Sequence, residues 1–264
     1  MKEQTSTRIA PRDPQPRIED SKVTQRNMEA SPQRLARIAG GLYLINIIGG
    51  FFAIGYVAAA LVVPGDAVTT AHNIQANELL YRLGLVAHII VDVTNIPLAV
   101  IFYDLFKVVN RRLALLVVFF TLVGTAVESA NLLNQFTPLV LLAGWHYTSA
   151  FTAEQLQAMA YTPIDSLGIG YDVNSVFFGF YGLTIGYLVF RSTFFPRILG
   201  VLLAIGAASY LTYSFAALVS PGFAAHLVPY IQLPSLIGEG SFCLWLLVRG
   251  LNVSRWEKQA GAAG

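Results

Sequence analysis

From residue 35 onward, long apolar runs alternate with short polar connections. A helix needs about 20 predominantly apolar residues to cross the hydrocarbon of a bilayer. Six segments meet that length: residues 38–62, 82–106, 113–136, 171–190, 198–219 and 230–250. The fourth is the least uniform, because Asp172 and Asn174 stand at its start. Turn residues such as VPGD (63–66) and SPG (220–222) separate the runs. The longest connection, residues 137–170, contains TAEQLQAMA, where Thr152 followed by Glu154 and Gln155 predicts the start of a short surface helix. The pattern predicts an all-α integral membrane protein, a six-transmembrane-helix bundle with the lipid bilayer as its first partner.

Charge placement orients that bundle. Sixteen of the 17 Lys and Arg residues fall in the N-terminal stretch, in the connections after spans 2 and 4, or at and beyond the end of span 6. Arg82 alone lies on the other side, whose connections carry Asp66, Glu78, Glu154 and Asp165. Basic loops stay on the cytoplasmic side, so N- and C-termini are both expected to be cytoplasmic. Residues 1–33 hold six Lys/Arg, five Asp/Glu and four Pro with few large apolar side chains. They read as a disordered cytoplasmic tail without the apolar core of a signal peptide. The expected organisation is tail 1–33, membrane domain 34–253 and a short cytoplasmic tail 254–264. Only 12% of residues are charged, half the share of about a quarter in soluble domains.

Polar residues inside the spans carry the candidate chemistry. On a helix, positions i, i+4 and i+7 share a face. His88, Asp92 and Asn95 in span 2 have that spacing, and Pro97 behind them predicts a kink that frees a backbone carbonyl. Span 3 aligns Thr121, Thr125, Glu128, Asn131 and Gln135, and span 6 aligns Gln232, Ser235 and Glu239. Span 4 sets Asp172 and Ser175 on one face and Asn174 on the other. Counted from the span ends, Asp92 and Glu239 lie near mid-membrane and Glu128 somewhat outward. Lipid satisfies none of these groups, so His88, Asp92, Asn95, Glu128, Asn131, Asp172, Asn174 and Glu239 are the candidates for a polar interior.

No Lys or Arg shares their depth. Arg82 is about 15 Å from Asp92 at the helical rise. An unpaired buried carboxylate needs a proton, a cation, a wet cavity or a partner, and His88, four residues from Asp92, is the one candidate partner in the sequence. A possible small-molecule or cation ligand follows. The bland alternative is that the polar side chains only hold helices together.

Small residues at spacing four, Gly182 with Gly186 and Gly200 with Ala204 and Ala208, predict close helix approach. The single cysteine, Cys243, permits no disulfide within the chain and reads as a small buried hydrophobe. His72, His88, His146 and His226 all fall in the outward half, but none has the close spacing that marks a zinc site. No metal and no cofactor is therefore assigned. No nucleic-acid partner is expected, and no P-loop, dinucleotide fingerprint or G-x-S-x-G motif is present.

Several phrases, RIAGGLYLI (37–45), VPGDAVTTAHNIQANELLYRLG (63–84), VFFGFYGLTIGYLVF (176–190), FPRILGVLL (195–203) and LPSLIGEGSFCLWLLVRGLN (233–252), carry a resemblance across residues 35–253. The chain resembles the bacterial family called domain of unknown function 4386. The resemblance implies a multi-pass protein of the bacterial cell membrane and no activity. Three function classes stay open: a small transporter or permeation-type protein with an acid-lined interior, a structural or sensory membrane subunit, and a membrane-embedded enzyme acting on a lipid-like substrate through His88, Asp92 and Glu128.

Overall fold

The computed structural model describes residues 31–263, so the expected N-terminal tail lies outside the described residues except at its end, where Pro32 and Gln33 are already helical. Among the described residues the regular structure is entirely helical. The helices are α1 (Pro32–Leu61), α2 (Ala67–Ala76), α3 (Glu78–Leu141), α4 (Ala153–Arg191), α5 (Arg197–Val219), α6 (Pro221–Leu227), α7 (Leu233–Val248) and α8 (Val253–Ala263). Single 3-10 turns, His146–Ala150 and Tyr230–Gln232, precede α4 and α7. Five helical stretches are long and apolar enough to cross a membrane: α1, α3, α4, α5, and α7 with its leading turn.

Helix α3 contains both predicted spans 2 and 3. A straight helix of its 64 residues would reach about 96 Å, three times the hydrocarbon thickness. Asn110 resolves this: it alone inside α3 leaves helical angles, at φ −158° and ψ 109°. Its side chain accepts from the Leu113 backbone N–H at 3.0 Å, capping the second limb. The limbs, residues 78–109 and 111–141, run back along each other, as Tyr81 Oη donating to the Gln135 carbonyl at 2.8 Å shows. The expected loop thus shrinks to one extended residue. Pro97 keeps helical angles and stays inside the first limb, where its missing N–H leaves the Val93 carbonyl without the usual intrahelical donor.

Two other expectations change. The surface helix predicted at Thr152 does begin there, with the Thr152 and Gln155 side chains capping each other's backbone N–H. It does not stop; it continues through residues expected as loop and becomes α4. Gly170 is helical, and it lets α4 approach Asn131 closely, since a Cβ there would overlap the Asn131 amide. The C-terminal tail is also a helix: Trp256 of α8 donates its indole N–H to the Leu105 carbonyl at 2.9 Å, and Gln259 accepts from the Thr193 N–H at 3.0 Å.

The large core lies at the end of the bundle that holds Pro32 and α8. Tyr43, Phe102, Phe106, Phe194, Phe195 and Phe242 form its centre, with neighbouring ring centroids 5.1–6.4 Å apart. Gln33 ties the same end together, donating to the Arg249 carbonyl and accepting from the Leu251 N–H at 2.9 and 2.8 Å. A smaller cluster, Val57, Leu61, Ile74, Tyr81 and Leu139, closes α1 and α2 against α3 at the opposite end. The predicted close approach of α4 and α5 is present: a Cβ on Gly200 would lie 2.5 Å from the Gly186 carbonyl oxygen. Gly206 and Gly238 do the same for α5 and α7, and Gly40 for α1 and α7.

Candidate functional site: an acid-lined chamber

Between the two clusters the helices part around a cavity of about 710 Å³. All five membrane-length helical stretches contribute to its wall. Six of the eight candidates line it: His88, Asp92, Asn95, Glu128, Asn174 and Glu239. They come together because each polar stripe is the only face of its helix that lipid would leave unsatisfied, and the bundle turns those faces inward. His88, Asp92, Asn95, Thr121, Thr125, Glu128, Asn131 and Gln135 are all buried, as the two stripes of α3 predict.

Asn131 and Asp172 stand apart from the cavity wall. Asn131 donates to the Leu167 carbonyl at 3.0 Å and accepts from Asn134 at 3.1 Å, joining α3 to α4. Asp172 is half-buried. The expected separation of Asn174 from Ser175 does not hold, since both adjoining residues border the cavity.

The pairing of the acids also differs from expectation. His88 does not reach for Asp92 on its own limb. Its Nε2 lies 2.9 Å from Glu128 Oε1 on the facing limb, and its Nδ1 lies 3.4 Å from Gln135 Oε1. Side chains on one helical face lie stacked along it and project toward the neighbouring helix, so the antiparallel limb supplies the nearer carboxylate. The Asn174 amide donates to Glu128 Oε2 at 3.1 Å. Asp92 instead accepts from Ser129 Oγ at 2.7 Å. The Nε2–Oε1 approach is close but not aligned as a hydrogen bond, and Glu128 Oε1 and Asn174 Oδ1 are buried without a hydrogen-bond partner among the described residues.

Asn46 of α1 closes a third group, donating to Asn95 Oδ1 at 2.6 Å and accepting from Thr94 Oγ1. Across the cavity, Glu239 is flanked by the hydroxyls of Tyr43 and Tyr210. It is half-buried, whereas Glu128 is only 3% exposed. Tyr171, Tyr181 and Tyr213 extend the same aromatic wall. The sequence reading passed over these tyrosines and Ser129. One signal was available: tyrosine favours the membrane–water interface, and Tyr181 stands near the middle of predicted span 4.

Among the described residues, no Lys or Arg borders the cavity. Its charged groups are therefore three carboxylates and one imidazole. Such a wall attracts cations, can relay protons through His88 and Glu128, and repels anions. No group of three or more His, Cys, Asp or Glu side chains among the described residues is arranged to hold a metal ion.

Comparison with known proteins places no activity on this arrangement. An uncharacterized protein of Archaeoglobus fulgidus is 28% identical over 172 residues, covering 65% of this chain and 85% of that protein. The resemblance thus reaches an archaeal chain and is not evidence for a bacterial source. No solved structure matches. The family model for a domain of unknown function (DUF4386) matches residues 38–250, nearly the whole helical bundle, and the chain belongs to that family.

Proposed function

We propose that this protein is a small membrane transporter whose acid-lined chamber loads a positively charged solute. Its bundle has six spans, with the two limbs of α3 counted separately and both termini in the cytoplasm of the host cell, whose plasma membrane it occupies. The membrane domain covers residues 34–253, with α8 lying along the cytoplasmic face. His88, Asp92, Asn95, Glu128, Asn174 and Glu239 contact the solute or relay protons; Asn131 and Asp172 support the walls. One observation carries this reading: three carboxylates, one from each limb of α3 and one from α7, border a single cavity that no Lys or Arg among the described residues neutralises. Buried charges otherwise pair or protonate at a cost, so three acids around one imidazole fit a site completed by a visiting cation. The aromatic core seals the cytoplasmic end while the chamber sits outward of it, an arrangement that fits one stage of alternating access.

The test is flux. Purified protein in proteoliposomes, driven by an imposed proton gradient, should carry organic or inorganic cations, and Asp92→Asn with Glu239→Gln should reduce the rate at least tenfold. A panel of cations with no flux above empty vesicles would remove the transport reading. Phe51 and Leu236, which line the cavity and are also exposed, favour a second reading, an enzyme acting on a lipid-like substrate with His88 and Glu128 as its acid–base pair. Consumption of bilayer lipid by the purified protein, abolished in Glu128→Gln, would select it.

A further inference from the structure

The cavity has an edge on the lipid-facing surface. Ile48, Phe51 and Ile54 of α1 and Leu233 and Leu236 of α7 border it, yet all five are exposed, Phe51 by 75% and Leu236 by 62%. A residue that both borders a cavity and faces outward marks its mouth. Toward the cytoplasmic end α1 and α7 are in close contact, since a Cβ on Gly40 would lie 2.8 Å from the Leu247 backbone nitrogen. Outward of that contact α1 changes to a π-helix over Phe51–Val57. Such segments are rare and often accompany functional sites. Gly50 and Gly55 border the cavity along this stretch, and a Cβ on Gly50 would meet nothing within 4 Å.

Resting on the transport reading, we propose that the solute is a lipophilic organic cation, drawn sideways from the bilayer through the gap between the π-helical part of α1 and the start of α7. Four features select this class. Among the described residues the wall has three carboxylates and no Lys or Arg, which disfavours anions. Tyrosine rings beside Glu239 offer faces that attract organic cations. A cavity of about 710 Å³ far exceeds a bare metal ion and falls within the range of drug-sized ligands. The mouth is lined by apolar side chains that a hydrated inorganic ion would not cross and an amphiphile would. Inside, half-buried Glu239 meets the charge first, and the partnerless oxygen Asn174 Oδ1 accepts from any N–H the cation brings.

The experiment uses the full chain in lipid nanodiscs and two ions of the same shape and opposite charge, tetraphenylphosphonium and tetraphenylborate, with empty nanodiscs as background. Equilibrium dialysis should show saturable binding of tetraphenylphosphonium and, in separate samples, no saturable binding of tetraphenylborate. Tetramethylammonium, which has the charge but little apolar surface, should compete at least a hundredfold less well than unlabelled tetraphenylphosphonium. Glu239→Gln should weaken binding at least tenfold. Ile48→Trp with Leu236→Trp, which crowds the mouth and leaves the acids intact, should slow association at least tenfold. Equal binding of both tetraphenyl ions overturns the charge assignment on the unaltered protein. Equal competition by tetramethylammonium overturns the lipophilic class, and unchanged association in the double tryptophan variant overturns the sideways route. Saturable binding without flux defeats the transport reading alone, whereas inorganic-cation flux without tetraphenylphosphonium binding defeats this inference alone.

Discussion

Glu239 and Glu128 show how one residue type takes two roles in the same cavity. Glu128 is held on both sides, by His88 and by the Asn174 amide, and is buried. Glu239 has the Tyr43 and Tyr210 hydroxyls and the chamber beside it. Replacing Glu239 with Gln keeps the size and the acceptor, so the fold should survive, with an unfolding temperature in detergent within a few degrees of the parent. Glu239→Lys places a longer cation against Tyr43 and the ring core, and the same melt should show loss of the cooperative transition. Outside the membrane, Asp66 caps α2. Hydrogen bonds from the Thr69 hydroxyl at 2.7 Å and the Thr69 backbone N–H at 2.9 Å hold its carboxyl below the usual carboxylate range. A depressed folded value means that the cap's contribution is present above the ordinary carboxylate range and lost as pH falls through the folded value. Amide exchange in α2, taken relative to the intrinsic rate at each pH, should therefore accelerate on acidification below that range. In Asp66→Ala it should already be fast at neutral pH, with no further pH step.

At the scale of the helices, the contacts that decide packing are backbone approaches at glycine. A Cβ on Gly200 would meet the Gly186 oxygen at 2.5 Å and the Phe190 backbone nitrogen at 2.6 Å, atoms that cannot move without separating α4 from α5. Gly200→Ala should lower stability by about 1–3 kcal/mol, the usual cost of overpacking. Gly41, also helical, has nothing within 4 Å of a built Cβ, and Gly41→Ala should be neutral or stabilising by up to about 1 kcal/mol because alanine favours helix. Reversible unfolding of the two variants side by side checks both signs; a stable Gly200→Ala protein would mean that the α4–α5 crossing is looser than described. The spacing of Gly182, Gly186 and Gly200 made that crossing legible in sequence. Gly206 and Gly238 were not, because each stands without a partner at spacing four and only the facing helix gives it meaning.

For the whole molecule, the proposed six-span arrangement with both termini inside predicts that a cysteine placed at Asn110, on a Cys243→Ala background, is protected from a membrane-impermeant thiol reagent added outside intact cells and reacts after permeabilisation. Reaction before permeabilisation would invert or break the topology. The sequence alone determined the helical class, the apolar segments and the inward faces of α3. Each of these follows from a local period read against one solvent, and lipid punishes every exposed polar group alike. It also determined most of the polar residues that meet in the chamber. Tertiary structure decided the rest. It set His88 against Glu128 rather than Asp92, ran α4 through an expected loop, folded the last residues into α8, and added the tyrosines around Glu239. These depend on which helices are neighbours and at what height. Periodicity along one helix does not encode that information, because a face can be identified without knowing what it faces.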